Sequence, residues 1–356
     1  MFGARACFGG GPPDASSVRA THQLFDRRGK PACDQQSRRK QTPAQQARRS
    51  EMPELDRFLV DGRPPGFVVG EHTLTLEVGL MGEDFQRLAA RELRESPDVV
   101  RDALTQLREL LRGEKQLDVP LDDENLLLTF LRPCKFYPHS AFDRMRKYYR
   151  FAQKNPRLSG QLTPGQTPGV FEQDLLSVLP RRDQHGRRIL LLEAGGKWKT
   201  GAVSASDIHR ALWLVLGASA LEPRTQVAGA VVLLDMHGLA AQHVWQISPA
   251  FARNLAHWVQ ECIPARLKAV HIVRQPYVFN MLFAVFKPFL QEKLRNRIHF
   301  HGTDWGSLHR QVVPGSLPRQ FGGELDVPAG TASKLHSTLC LFEDVFREYS
   351  EYGYKQ

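Results

Sequence analysis

Apolar positions recur at helical spacing from residue 83 to about residue 155. Phe85, Leu88, Ala89 and Leu93 form one stripe that stops before Pro97, which predicts a first helix. Pro97-Asp98 opens a second, with Val100, Leu104, Leu107 and Leu111 along one face. A third follows Asp122-Asp123-Glu124, residues suited to a helix N-terminus. It runs through LLLTFL until Pro133 ends or kinks it. A fourth covers roughly 140–152. Together they predict a small all-α module over 83–155. After Pro164 the texture changes. Aliphatic and β-branched runs at 188–193, 228–235, 267–273 and 298–301 alternate with helical segments near 207–221, 243–262 and 277–297. This alternation predicts an α/β domain over 165–325, a mainly parallel sheet with crossover helices. The LPRQFGG turn at 317–323 breaks regular structure. A short polar helix at about 331–349 is expected to close the chain, within a C-terminal segment 326–356.

One segment stands apart. Residues 276–297, PYVFNMLFAVFKPFLQEKLRNR, open with about fifteen residues that are apolar nearly all round, broken by Asn280 and Lys287. A basic tail completes it, with Lys293, Arg295 and Arg297. A helix apolar on every side is buried or meets lipid. At about 1.5 Å per residue this one is roughly 22 Å long, short of the roughly 30 Å of a bilayer core. It suits either an ordinary core helix or a lid over an apolar ligand that also touches a membrane surface. Helix 207–221 is also apolar on most sides. Two such helices beside one sheet exceed what a single-layer core needs and can enclose a cavity.

Composition narrows the picture. The chain has 356 residues, 42% of them hydrophobic, and a formal net charge of +10. The first fifty residues hold ten Lys and Arg against three Asp, a net of +7, which leaves +3 for the remainder. The folded body is therefore not strongly basic, and a global electrostatic argument for nucleic acid fails. Residues 1–50 are rich in Gly, Pro, Gln, Ser and Arg, and disorder is expected there. Residues 51–80 contain Pro64-Pro65-Gly66 and read as linker with at most a short extended piece, so 1–75 is taken as a disordered basic region and linker. Met52 follows the low-complexity stretch and offers an alternative start. The five cysteines, Cys7, Cys33, Cys134, Cys262 and Cys340, lie far apart, which favours free thiols in a reducing compartment. No secretory-type apolar segment and no run of eighteen apolar residues occurs, so a soluble cytoplasmic protein is expected.

Enzyme signatures are missing. There is no GxGxxG after a strand, and Gly195-Gly196-Lys197-Trp198-Lys199-Thr200 lacks P-loop spacing. GxSxG, HExxH and CxxC are absent too. Asp235 with His237, and His299 with His301, have neither a nucleophile nor a third ligand and read as structural. No enzyme, cofactor or metal site is expected. The cations carry more. Arg266 and Lys268 are two apart at the start of a strand and point the same way. Lys293 and Arg297 are four apart on one helix and share a face. The strand feeds the helix through Gln275-Pro276, so both pairs can converge. Four cations suit a doubly phosphorylated head group. The alternative is a set of solvated surface charges.

The same segments carry a family resemblance. IPARLKAVHIVRQPYVFNMLFAVFKPFLQEKLRNRIHFHG (263–302) resembles the lipid-exchange core of the CRAL-TRIO family, in the branch of tocopherol carriers and clavesins. DDENLLLTFLRPCKF (122–136), RRDQHGRRILLL (181–192), VVLLDMHGL (231–239) and LPRQFGGEL (317–325) resemble its other landmarks in the same order. The match covers about 84–325. The resemblance implies a helical module packed on an α/β lipid-binding domain, one bound hydrophobic ligand, and a gate helix over 277–290. Phe279, Leu282, Phe283 and Val285 fall at the family's gate positions. Tyr277, Phe286 and Phe289 complete the expected gate and membrane contact. Arg266, Lys268, Lys293 and Arg297 fall on the family's phosphatidylinositol bisphosphate set, with the first two exchanged in type. The resemblance thus implies a monomeric lipid carrier that associates reversibly with endosomal or plasma membranes. The alternative is a clavesin-like phosphoinositide-binding adaptor in endosomal or clathrin trafficking, without exchangeable cargo. No clathrin-box sequence is evident. Pro133-Cys134 departs from the Ala-Arg often found there. Helix 207–221 transfers no ligand contacts, which leaves tocopherol, retinoid or another lipid open.

Overall fold

The computed structural model describes residues 58–79 and 81–355. The expected disorder of 1–50 lies outside the described residues. Part of the expected linker is a hairpin. β1 (Gly66–Val69) pairs antiparallel with β2 (His72–Thr75), and strand alternation drives Phe67, Val69 and Leu74 into the main core. Four-residue strands leave too little periodicity to stand out from a Pro-Gly-rich linker.

The helical module is made of α1 (Glu83–Leu93), α2 (Pro97–Gly113), the short strand β3 (Leu117–Asp118), α3 (Glu124–Leu131) and α4 (Pro138–Lys154). Its starts obey local chemistry. Ser96 caps α2 by accepting from the Val99 N–H, with Pro97 at the first helical position. Asp123 caps α3 by accepting from the Leu126 N–H at 2.7 Å. The helical stripes meet in a core that includes Leu93, Leu104, Leu107, Leu127, Phe130 and Met145.

The second domain is built on a five-stranded sheet in spatial order β4 (Leu176–Val178), β5 (Arg188–Leu192), β6 (Ala230–Asp235), β7 (Leu267–Val273) and β8 (Ile298–Gly302). β5 to β8 run parallel, and β4 is an antiparallel edge. The crossovers carry α5 (Ala205–Ala220) and α6 (Pro223–Ala228), then α7 (Pro249–His257), then α8 (Phe279–Phe286) and α9 (Glu292–Arg295). A reciprocal Ser204–Asp207 capping box starts α5. Gly229 turns α6 into β6 at φ +89°, where a Cβ would sit 2.3 Å from the Arg266 carbonyl oxygen. The sheet is covered on both faces, as a parallel sheet requires. Ile189, Leu191, Val231 and Leu233 face a closed core with Leu308, Leu317 and Phe321. The alternate residues Leu192, Ala230, Val232 and Leu234 face a cavity.

Three predicted helices are broken. The segment 243–262 becomes a single turn at Ala241–Val244, then α7, then a widened π turn at Trp258–Cys262. Ser248 caps α7 and Pro249 occupies its first position, so the chain restarts there. The segment 277–297 gives α8, a 3-10 turn at Lys287–Phe289 and α9, because Pro288 lacks the N–H that a continuous helix needs. The C-terminal segment is α10 (Thr331–Cys340) followed by α11 (Glu343–Glu351). α10 is not the polar helix expected: Ala332, Leu335 and Leu339 enter the main core. A last strand, β9 (Gly353–Tyr354), pairs with β3 of the helical module.

Candidate functional site

A cavity of about 280 Å³ lies between the sheet and α5, α7 and α8. Each wall is one stripe of an element. From α5 come Ala205, Ile208, His209, Leu212 and Leu216, the i, i+3, i+4 set of one face. The sheet adds Leu192, Val232, Leu234, Val270 and Ile272, and α7 with its π turn adds Phe251, Leu255 and Trp258. No Asp, Glu, Lys or Arg lines the space. It can hold hydrocarbon, and His209 is the one titratable side chain on its wall.

α8 forms the outer wall of the cavity. Phe279, Leu282, Phe283 and Phe286 share a face at i, i+3, i+4 and i+7, and all line the cavity. Of the α8 side chains, Phe279 alone is fully buried. Val285 and Phe289 are half-buried and do not line the cavity. Tyr277 is 88% exposed and Met281 points outward. Two exposed aromatics missed by sequence reasoning lie nearby. Phe300 on β8 packs edge-on to Phe283 at 5.1 Å between ring centroids, and Trp245, 78% exposed, follows the Ala241–Val244 turn beside α8. Pattern alone did not mark them, because an isolated exposed aromatic has no periodic signature. Past α8, Gln260 in the π turn binds both sides of the chain break: its Nε2 donates to the Phe289 carbonyl at 3.1 Å, and its Oε1 accepts from the Gln291 N–H at 2.7 Å.

The expected anion site is assembled in part. Arg266 and Lys268 do point the same way, and both donate to Glu92 Oε2 of α1, at 2.7 and 3.2 Å. Glu92 was not foreseen, since 174 residues separate it from Arg266. Burial tends to raise the Glu92 carboxyl, but its bonds to Arg266 and Lys268 overcome this and hold it below its usual range. Burial first and the Arg266 charge second push both Lys268 and Arg297 down from their ordinary values, although Glu92 opposes the effect on Lys268. Like charges are thus crowded here. The expectation that Lys293 and Arg297 share a helix face is corrected. α9 ends at Arg295, and Arg297 lies beyond it, donating to the Leu267 carbonyl. Arg266 likewise donates to the Val227 carbonyl. Lys293 lies near enough to act on the Cys134 thiol, whose pKa burial raises. Lys268 also opens onto a cleft of about 510 Å³ with Arg87, Arg91 and Arg187.

Other sequence candidates have structural partners. Asp235 takes two bonds from Arg274 and one from the His237 N–H. His301 binds His271 and Ser307 at 3.0 and 2.9 Å. Lys197 of the glycine-containing loop pairs with Glu193 and Asp174. Among the described residues, no group of three His, Cys, Asp or Glu side chains is placed to hold a metal, and no helix is long and apolar enough to cross a membrane.

Comparison with known proteins agrees with this geometry. The CRAL/TRIO domain model matches residues 172–323. Clavesin-1 of Pongo abelii is 32% identical over 253 residues, 70% of this chain and 71% of that protein. The alpha-tocopherol transfer protein-like protein of Mus musculus is 32% identical over 292 residues, 81% of this chain and 80% of that one. The crystal structure of Sfh5 is similar at 11% identity and a TM-score of 0.43, over 75% of this chain and 99% of that one. With an apolar cavity on a mainly parallel sheet and relatives matched over most of their length, the chain belongs to the CRAL/TRIO lipid-binding family.

Proposed function

We propose that this chain is a carrier, not an enzyme, that takes one hydrophobic molecule from a membrane, shields it and delivers it elsewhere. The observation that carries the reading is the apolar cavity closed on its outer side by α8. Burial contributes about 0.8 kcal/mol per CH₂, enough to drive uptake of an isoprenoid or acyl chain. α8 is the gate. Its inner face covers the ligand, and its outer side presents Tyr277 and Met281, flanked by Trp245 and Phe300, as apolar contacts for a bilayer surface. The protein works in the cytoplasm as a monomer and touches endosomal or plasma membranes reversibly.

Release needs a compensating event. In this reading a phosphatidylinositol bisphosphate head group binds Arg266, Lys268, Lys293 and Arg297 and displaces Glu92. Binding that favours the open gate shifts the population toward release. Arg266 and Arg297 also hold backbone carbonyls, so the informative substitution removes the other two. Lys268→Ala/Lys293→Ala is expected to slow ligand transfer to vesicles containing the bisphosphate about tenfold, with transfer to neutral vesicles unchanged. Equal transfer rates to both kinds of vesicle for variant and parent would contradict the coupling.

A further inference from the structure

The cavity wall is apolar except at one place. His209, mid-way along α5, is 1% exposed, and neither its Nδ1 nor its Nε2 has a hydrogen-bond partner among the described residues. Aromatic rings surround it. The centroids of Phe151, Trp213 and Phe251 lie 6.1 to 6.3 Å away, and Trp258 stands edge-on at 4.6 Å. Trp258 lines the same cavity and is also buried, and its Nε1–H has no partner either.

The neighbouring polar rings are satisfied. Trp198 Nε1 donates to the Val203 carbonyl at 2.8 Å and Trp213 Nε1 to the Tyr148 hydroxyl at 2.9 Å. His243 binds the Ala240 N–H and the Trp198 carbonyl. Buried polar groups are paired as a rule, because an unpaired one bears its full desolvation cost. Two unpaired polar rings in contact, both on the cavity wall, point to a partner that enters the cavity. The chemistry of the pair selects that partner. Burial pushes the imidazole pKa down to about 4, so the ring is neutral near pH 7 and offers one donor and one acceptor nitrogen. The indole donates only. A hydroxyl matches both: it donates to the bare imidazole nitrogen and accepts from Trp258 Nε1–H. A carboxylate or phosphate head would enter uncompensated, since no cationic side chain lines the space.

We propose that His209 and Trp258 anchor the single uncharged hydroxyl of the ligand, so that the cargo is a lipid alcohol or phenol whose hydrocarbon body fills the rest of the cavity. This assignment rests on the carrier reading above. The test uses three probes of one carbon skeleton, phytane, phytol and phytanic acid, partitioned from neutral vesicles into the full chain. Phytol is expected to bind about tenfold more tightly than phytane, the gain of roughly one satisfied buried hydrogen bond. In His209→Phe, which keeps an aromatic ring and removes both nitrogens, that preference should vanish while phytane binding persists. His209→Gln should retain part of it. Phytol should also shift the ¹⁵N resonances of the His209 ring, which phytane leaves in place. Absence of a phytol preference in the parent chain, or its survival in His209→Phe, would overturn the anchor and leave the carrier reading intact. Tighter binding of phytanic acid than of phytol would overturn the assignment of an uncharged head. Failure of all three probes to bind would overturn the carrier reading itself, and the anchor with it.

Discussion

At the scale of single residues, the informative side chains are polar groups in apolar surroundings. His209 and His271 are the clearest. Burial holds His209 down to about 4 and His271 to about 3, the latter helped by His301 and His299. A histidine whose folded pKa lies below its unfolded value of 6.5 stays neutral in the folded state while the unfolded chain takes up a proton. Stability therefore falls as the pH drops from about 6.5 toward 4, by up to about 1.4 kcal/mol per pH unit for each such ring. Denaturant unfolding at pH 7 and pH 5 should show the loss. His209→Phe should lose about 2 kcal/mol less than the parent between the two. An identical loss in both proteins would mean that His209 is not held neutral. Nothing in the sequence marked His209, because a histidine in an apolar helix looks the same whether or not its nitrogens find partners.

At the scale of elements, legibility tracked length. β5 and β6 were readable because each carries an aliphatic run of at least four residues, β7 and β8 because shorter apolar stretches continue the same strand–helix alternation, and the helical stripes of α1 to α4 because they span two turns or more. The hairpin β1–β2 and the edge strand β4 were too short to rise above turn residues. The breaks at Pro249 and Pro288 were present in the sequence as helix-start and helix-stop signals, yet the surrounding apolar density outweighed them. The apolar character of α8 was readable, but its single lining face, at Phe279, Leu282, Phe283 and Phe286, needed the folded helix. The cluster of Arg266 and Lys268 was legible as charges, while its counter-ion was not, because Glu92 comes from another element. Glu92 on α1 pairs with both Arg266 and Lys268, and in the proposed reading it competes with the head group there. Glu92→Gln keeps a hydrogen-bonding side chain and removes the competing charge. It should raise affinity for bisphosphate-containing vesicles about threefold to tenfold, measured by co-sedimentation at fixed salt. Unchanged or weaker binding would show that Glu92 does not compete with the head group.

At the scale of the whole molecule, the helical module is tied to the lipid-binding domain at several places around the cavity. Arg132 bridges Glu95 of the module and Gln226 of α6. Glu92 holds Arg266 and Lys268 on the β7 side. Lys147 of α4 pairs with Glu261 in the π turn at 2.7 Å, the same turn whose Gln260 holds the Phe289 carbonyl past the end of α8. β9 pairs with β3 and brings the C-terminal end back onto the module. In the proposed coupling, anion binding would release Glu92 of the module, and the module reaches the π turn next to α8 through Lys147. In the proposed reading the cavity carries one exchangeable lipid. Its most direct test is native mass spectrometry of the full chain purified from cultured cells, with organic extraction of a denatured control. One dominant neutral lipid alcohol or phenol at about one per chain is expected. Traces of mixed membrane lipid only, with no uptake when phytol is added back, would contradict it and favour an adaptor that recognises membranes without cargo.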